Sequence, residues 1–131
     1  MDARLREAVR RRARGRCEYC QFPESFTRVP FQIDHITPEK HEGPTTLENL
    51  ALSCFFCNTH KGPNLSGLDP QTGELTRLFH PRADRWQEHF RWDGAVLIGL
   101  IATGRVTIHV LRINRADAVA VRQSLREEGV M

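Results

Sequence analysis

Residues 17–61 read CEYCQFPESFTRVPFQIDHITPEKHEGPTTLENLALSCFFCNTHK. Two CxxC pairs, Cys17/Cys20 and Cys54/Cys57, bracket a stretch dense in His, Asp and Asn. A CxxC turn lets two thiolates reach one ion, and two such turns complete the tetrahedral set of a closed structural zinc site. Binding of that kind contributes folding free energy directly. A redox CxxC and ordinary buried cysteines are the alternatives, although a redox motif needs only one pair and usually sits in a βαβ setting. Four sulfur ligands leave no open position, so the zinc is expected to be structural rather than catalytic.

The local patterns between and just after the pairs predict two strands and a helix. FQIDHI (31–36) reads as a strand that stops before Pro38. KHEGPTT (40–46) is a polar loop, and the later part of LENLALSC (47–54) is a second strand. CNTHK (57–61) opens a short helix that ends near Gly62-Pro63.

The joint spacing of CEYC, IDHI, ENL and CFFCNTHK resembles the HNH endonuclease family with flanking zinc knuckles. The resemblance implies an α+β fold: a zinc-stapled ββα-metal (His-Me finger) core. It implies that His35 is the general base, that Asp34 and Asn58 hold a divalent ion, and that Asn49 braces the loop and orients the histidine. Lys61 falls on the family's lysine position. The expected reaction is hydrolysis of DNA phosphodiester bonds by a one-metal mechanism, leaving 5′-phosphate and 3′-hydroxyl ends. A non-catalytic zinc-knuckle module that grips nucleic acid is the alternative, and a thiol–disulfide protein is a third.

The chemistry suits these residue types. An imidazole titrates near pH ~6.5, so a neutral base is available at physiological pH. A divalent cation polarises a phosphoryl group and stabilises the departing oxygen. A carboxylate and an amide carbonyl are both oxygen donors, which favours Mg²⁺ or Mn²⁺ over Zn²⁺ or Ni²⁺. His60 is the rival to Asn58. Asn49 also reads as an ordinary turn residue, and Lys61 as either a phosphate contact or a solvated helix residue. Adjacent residues on a regular strand point to opposite faces, so Asp34 and His35 share one site only if the strand ends or twists there.

Before the first cysteine pair, residues 2–14 read as a helix capped by Asp2, with Leu5, Ala8, Val9 and Ala13 along one side. Arginines at 4, 6, 10, 11, 12, 14 and 16 cover the rest, whereas lysine occurs only at 40 and 61. Arginine grips phosphate with two parallel hydrogen bonds. Arg10, Arg14, Arg77, Arg82 and Arg85, with Lys61, are the candidate DNA contacts, and a solvated basic face is the competing reading. The formal charge of +3 is compatible with a polyanionic partner.

Beyond the core, 62–76 reads as a loop and FHPRADRWQEHF (79–90) as a helix with Pro81 at its first position. AVLIGLIATGRVTIHVL (95–111) reads as a β-hairpin turning at Thr103-Gly104. Asn114 is expected to cap a last helix bearing Ala118, Val121 or Arg122, and Leu125, with Gly129 past its end. Trp86, Phe90 and Trp92 fit a core stripe better than base stacking. His41, His80, His89 and His109 read as structural or surface residues. The division is 1–68, an N-terminal helix plus nuclease core, and 69–131, a helix/hairpin/helix extension packed on it.

No apolar run is long enough to span a membrane, and the charged N-terminus lacks an apolar segment of the kind that directs secretion. A cytoplasmic, reducing setting is therefore expected, with DNA as partner, no membrane, and either a monomer or a homodimer.

Overall fold

The computed structural model describes residues 1–131. Asp2 caps α1 (Ala3–Ala13), its carboxylate accepting from the Leu5 amide at 2.8 Å, and Arg14 ends the helix in the left-handed region. Val9 on its inner side is fully buried. The antiparallel pair β1 (Gln32–His35) and β2 (Leu50–Ser53) places Asp34 opposite Ala51 and His35 opposite Leu50. α2 (Phe55–Lys61) starts one residue after β2, so the expected ββα unit is present. Every residue of β2 is buried. Its free edge is covered by the first knuckle: the Glu18 amide donates to the Leu52 carbonyl, and the Glu18 carboxylate accepts from the Leu52 amide. Arg12 adds donors to the Leu47 and Leu50 carbonyls. A short edge strand closed in this way offers no template for another chain.

The C-terminal half differs from the sequence reading in four places. The 62–76 loop contains a hairpin, β3 (Ser66–Leu68) with β4 (Leu75–Arg77). Only one helical turn, α3 (Trp86–His89), forms in 79–90, and the chain then runs straight into β5 (Phe90–Asp93). The second hairpin joins β5 to β6 (Val96–Gly99) and turns at Gly94, ten residues before the expected turn. Thr103 and Gly104 lie inside α4 (Ala102–Val110). The reason is a close approach: a Cβ on Gly104 would stand 2.2 Å from the His89 carbonyl oxygen. The glycine is there so that α4 can lie directly on the α3–β5 backbone, not to make a turn.

The last helix, α5 (Ala116–Glu127), lies where expected, but Asn114 does not cap it. The Asn114 amide instead pairs with the backbone of Leu97, accepting from its N–H at 2.9 Å and donating to its carbonyl at 2.7 Å. Asn114 thereby fastens the α4–α5 connection to β6.

One apolar cluster spans both halves, running from Val9, Tyr19 and Leu50 to Phe79, Phe90, Leu97, Val106 and Ile113. Trp86 and Trp92 pack against it half-buried, as a core stripe does, and the Trp86 indole donates to the Tyr19 carbonyl. No helix is long and apolar enough to cross a membrane.

Candidate active site and metal centre

The four cysteines converge. Their sulfurs all lie within 4.8 Å of one another, and all four residues are buried. Tetrahedral zinc with bonds of ~2.3 Å separates its sulfurs by about 3.8 Å. The Cys20 and Cys54 sulfurs stand 3.8 Å apart. The set fits zinc and leaves it no free position. Hydrogen bonds among the crowded thiols drive their proton affinities apart, holding Cys54 well below the usual thiol range and pushing Cys20 and Cys57 above it. Cys54 is also the residue that caps α2, its sulfur accepting from the Cys57 amide at 3.3 Å. The ligand set and the helix that carries Asn58 and Lys61 therefore share an atom.

β1 leaves this frame with its two motif side chains on opposite faces. Asp34 points inward. One carboxylate oxygen accepts from the Tyr19 hydroxyl at 2.7 Å, and the other from the Lys61 ammonium at 3.2 Å. Lys61 is 1% exposed. Its two further acceptors are the carbonyls of His35 and Ile36, at 3.2 and 3.1 Å. An ammonium has three N–H donors, and here all three have partners. Lys61 is thus an interior clamp on the end of β1, and neither reading of it as a surface residue holds. Burial pushes the Asp34 carboxyl above its ordinary range, partly offset by the Lys61 charge and the Tyr19 hydroxyl. The same burial, with the Asp34 charge beside it, drives the Tyr19 phenol well up.

His35 points the other way, towards the 37–49 loop. Its Nε2 lies 2.9 Å from the Thr45 hydroxyl and 3.6 Å from a Glu39 carboxylate oxygen. Asn49 is buried and ties that loop shut: its amide oxygen accepts from the Thr37 N–H, and its NH₂ donates to the Thr37 and Pro44 carbonyls. Asn58 lies half-buried in the first turn of α2, and His60 is half-buried further along it. The structure brings Asp34 and Lys61 together, and His35 and Thr45. Asp34 and His35, adjacent at the end of β1, engage different partners. Tyr19, Thr45 and Glu39 have no signal in the sequence: each reads as a filler residue in a knuckle or polar loop, and only the closed loop reveals its partner.

Three of the arginines considered for DNA are bound to carboxylates. Arg10 pairs with Glu24, Arg77 with Asp84 and Arg82 with Glu18. Arg14 and Arg85 are exposed. The remaining histidines are structural or on the surface: His89 is buried with Nδ1 at the Arg85 carbonyl, His80 caps the 80–84 turn, His41 reaches the Pro63 carbonyl, and His109 is exposed.

Comparison with known proteins agrees with this architecture. The family model "HNH endonuclease" matches residues 17–64. The chain is 24% identical over 124 residues to the Septu protein PtuB of Bacillus thuringiensis. That alignment covers 92% of this chain but 45% of PtuB, so the chain spans less than half of that relative's length. No solved structure matches. Residues 17–64, with their paired cysteines and ββα unit, thus match the HNH endonuclease family model, and the activity that this family implies is that of a nuclease acting on nucleic acid.

Proposed function

We propose that the protein is a metal-dependent endonuclease hydrolysing DNA phosphodiester bonds, with His35 as general base. The observation that supports this most directly is the His35 imidazole. It stands at the end of β1 with one ring nitrogen engaged by the loop that Asn49 closes, and the other ring nitrogen has no protein partner. A neutral imidazole held by one nitrogen is poised to take a proton at the other. In this reading Nδ1 accepts a proton from water, and the water oxygen forms a bond to phosphorus. The P–O3′ bond breaks, and the 3′-oxygen takes a proton from solvent. The products carry 5′-phosphate and 3′-hydroxyl ends.

A divalent cation, Mg²⁺ or Mn²⁺ by the oxygen character of Asp34 and Asn58, would neutralise charge on the phosphate and on the leaving oxygen. The Lys61 ammonium stands 3.2 Å from both Asp34 oxygens and the Tyr19 hydroxyl donates to one of them, so a cation held by Asp34 would compete with the ammonium. Arg14 and Arg85 remain the candidate phosphate contacts.

The engagement of Asp34 by Lys61 and Tyr19 favours the second reading, a zinc-knuckle nucleic-acid-binding module without cleavage. Plasmid nicking separates the two. The expected result is scission with Mg²⁺ or Mn²⁺ that EDTA stops and His35→Ala abolishes. Binding of DNA with no metal-dependent scission establishes the module instead. Strong cleavage with Ni²⁺ and none with Mg²⁺ overturns the assignment of an oxygen-donor site.

A further inference from the structure

We infer that Thr45 and Glu39 are positioning residues for His35: together they hold the ring as the Nε2–H tautomer, so that Nδ1 is the atom left to take a proton. The inference rests on the reading of His35 as general base and goes beyond it by naming what fixes the base.

The geometry starts with the loop. The Pro44 carbonyl accepts from the Asn49 amide at 2.8 Å, which fixes the residue directly before Thr45. The same asparagine grips both backbone groups of Thr37, near the other end of the loop. The closure is tight: a Cβ on Gly43 would lie 1.7 Å from the Thr37 carbonyl oxygen. Thr45 is exposed, yet its backbone is held, and its hydroxyl meets His35 Nε2 at 2.9 Å.

A threonine hydroxyl donates or accepts, so by itself it does not choose the tautomer. Glu39 supplies the choice. Its carboxylate oxygen lies 3.6 Å from the same nitrogen, too far for a hydrogen bond but close enough for its charge to act. An ionised carboxylate only accepts. It therefore favours a hydrogen on Nε2, which the Thr45 oxygen then accepts. The lone pair is left on Nδ1, the nitrogen without a hydrogen-bond partner. A carboxylate beside one ring nitrogen sets the tautomer of a catalytic histidine in the same way. Glu39 is 74% exposed and His35 16%, so the screened charge supplies a modest bias towards one tautomer, while the closer Thr45 contact holds the ring in place to receive it.

The test uses the zinc-loaded full chain. ¹⁵N-histidine NMR, with the His35 signals assigned from His35→Ala, is expected to show the neutral ring protonated on Nε2, and Thr45→Val is expected to give a mixture of tautomers. In plasmid nicking with Mn²⁺, Thr45→Val should lower kcat about tenfold, the scale of one net hydrogen bond. The KM for DNA and the Mn²⁺ requirement should stay unchanged. Thr45→Ser should restore the rate to within about twofold, and Glu39→Gln should cost about threefold. A ring protonated on Nδ1, or a Thr45→Val protein cutting at the wild-type rate while His35→Ala is dead, overturns this inference and leaves the general base in place. Full activity in His35→Ala removes the base and its positioning together. If Thr45→Val fails to fold, the tautomer in the unsubstituted protein still decides.

Discussion

The two halves of the molecule are held by different means. From residue 17 to 64 the interior is polar for its size: four sulfurs, the Tyr19–Asp34–Lys61 group and the Asn49 brace stand where aliphatic side chains would otherwise pack. From 65 onward, stability comes from close backbone contact and aromatic packing. Gly104 lies against His89, and Phe79 touches Tyr19, His89 and Phe90 edge-on. The first arrangement orients groups around a site, and the second supplies a platform. The price of the first is a set of buried charges that must stay paired, beside four thiols placed to hold an ion.

Zinc removal is the harshest test of that difference. Structural zinc contributes ~10–16 kcal/mol of apparent binding free energy in finger peptides, as much as a whole domain's stability. A strong chelator, or Cys54→Ser, should abolish the cooperative thermal transition and release one zinc per chain. A melt that is unchanged would show that the C-terminal platform alone holds the fold.

Next in size is Lys61→Met. It leaves the Asp34 carboxylate buried without its cation, a loss of about 3–5 kcal/mol. The double variant Asp34→Asn/Lys61→Met keeps an acceptor for Tyr19 and removes both charges, so denaturant unfolding should show much of the loss recovered. Equal damage in single and double variants would mean that Lys61 acts by filling space rather than by charge.

Gly104→Ala probes the platform. Helix propensity favours alanine by ~1 kcal/mol, while overpacking against backbone costs about 1–3. At 2.2 Å from a carbonyl oxygen the clash should win, and the variant should melt lower. A higher melting temperature would mean that α4 can slide away without cost.

Acid gives the smallest effect. Glu24 is held below the usual carboxylate range by Arg10 and the Phe31 amide, and Asp84 by Arg77 and the His80 amide, in both cases against the opposing pull of burial. A depressed folded value means stability that is present above the unfolded value and lost as pH falls through the folded one. Stability should therefore decline below about pH 4.5, from ordinary carboxylate values. Arg77 is 57% exposed, so Arg77→Ala should change the neutral-pH melt little, by ~0–1 kcal/mol, and flatten only the acid limb. Thermal melts from pH 3 to 7 read both.

The zinc half was legible because ligand spacing is a strong constraint. Two CxxC pairs admit few arrangements, and they set where β1, β2 and α2 begin and end. What the spacing leaves open is which way each side chain points. From the sequence Lys61 reads as a helix-surface residue, because helical position alone does not reveal the carboxylate and two carbonyls that meet it behind the strand. In the platform, the short apolar runs of 95–111 fit strand and helix equally well. The deciding fact for Gly104 is a tertiary contact with His89, which periodicity does not contain. Asn114 read as a cap for the same reason: its true partner, Leu97, is close only after folding.

The pairing of the arginines changes what salt should do. Of those on α1 and its C-cap, Arg10 and Arg12 are directed into the molecule and Arg11 holds Glu7, leaving Arg4, Arg6 and Arg14 exposed around the helix. Each phosphate neutralised releases counterions and adds about 0.9 to the slope of log affinity against log salt. A helix with three free guanidinium groups adds a slope of at most about 3, well short of what its run of arginines suggests. The grip of this helix on any polyanion is correspondingly shallow and easily reversed.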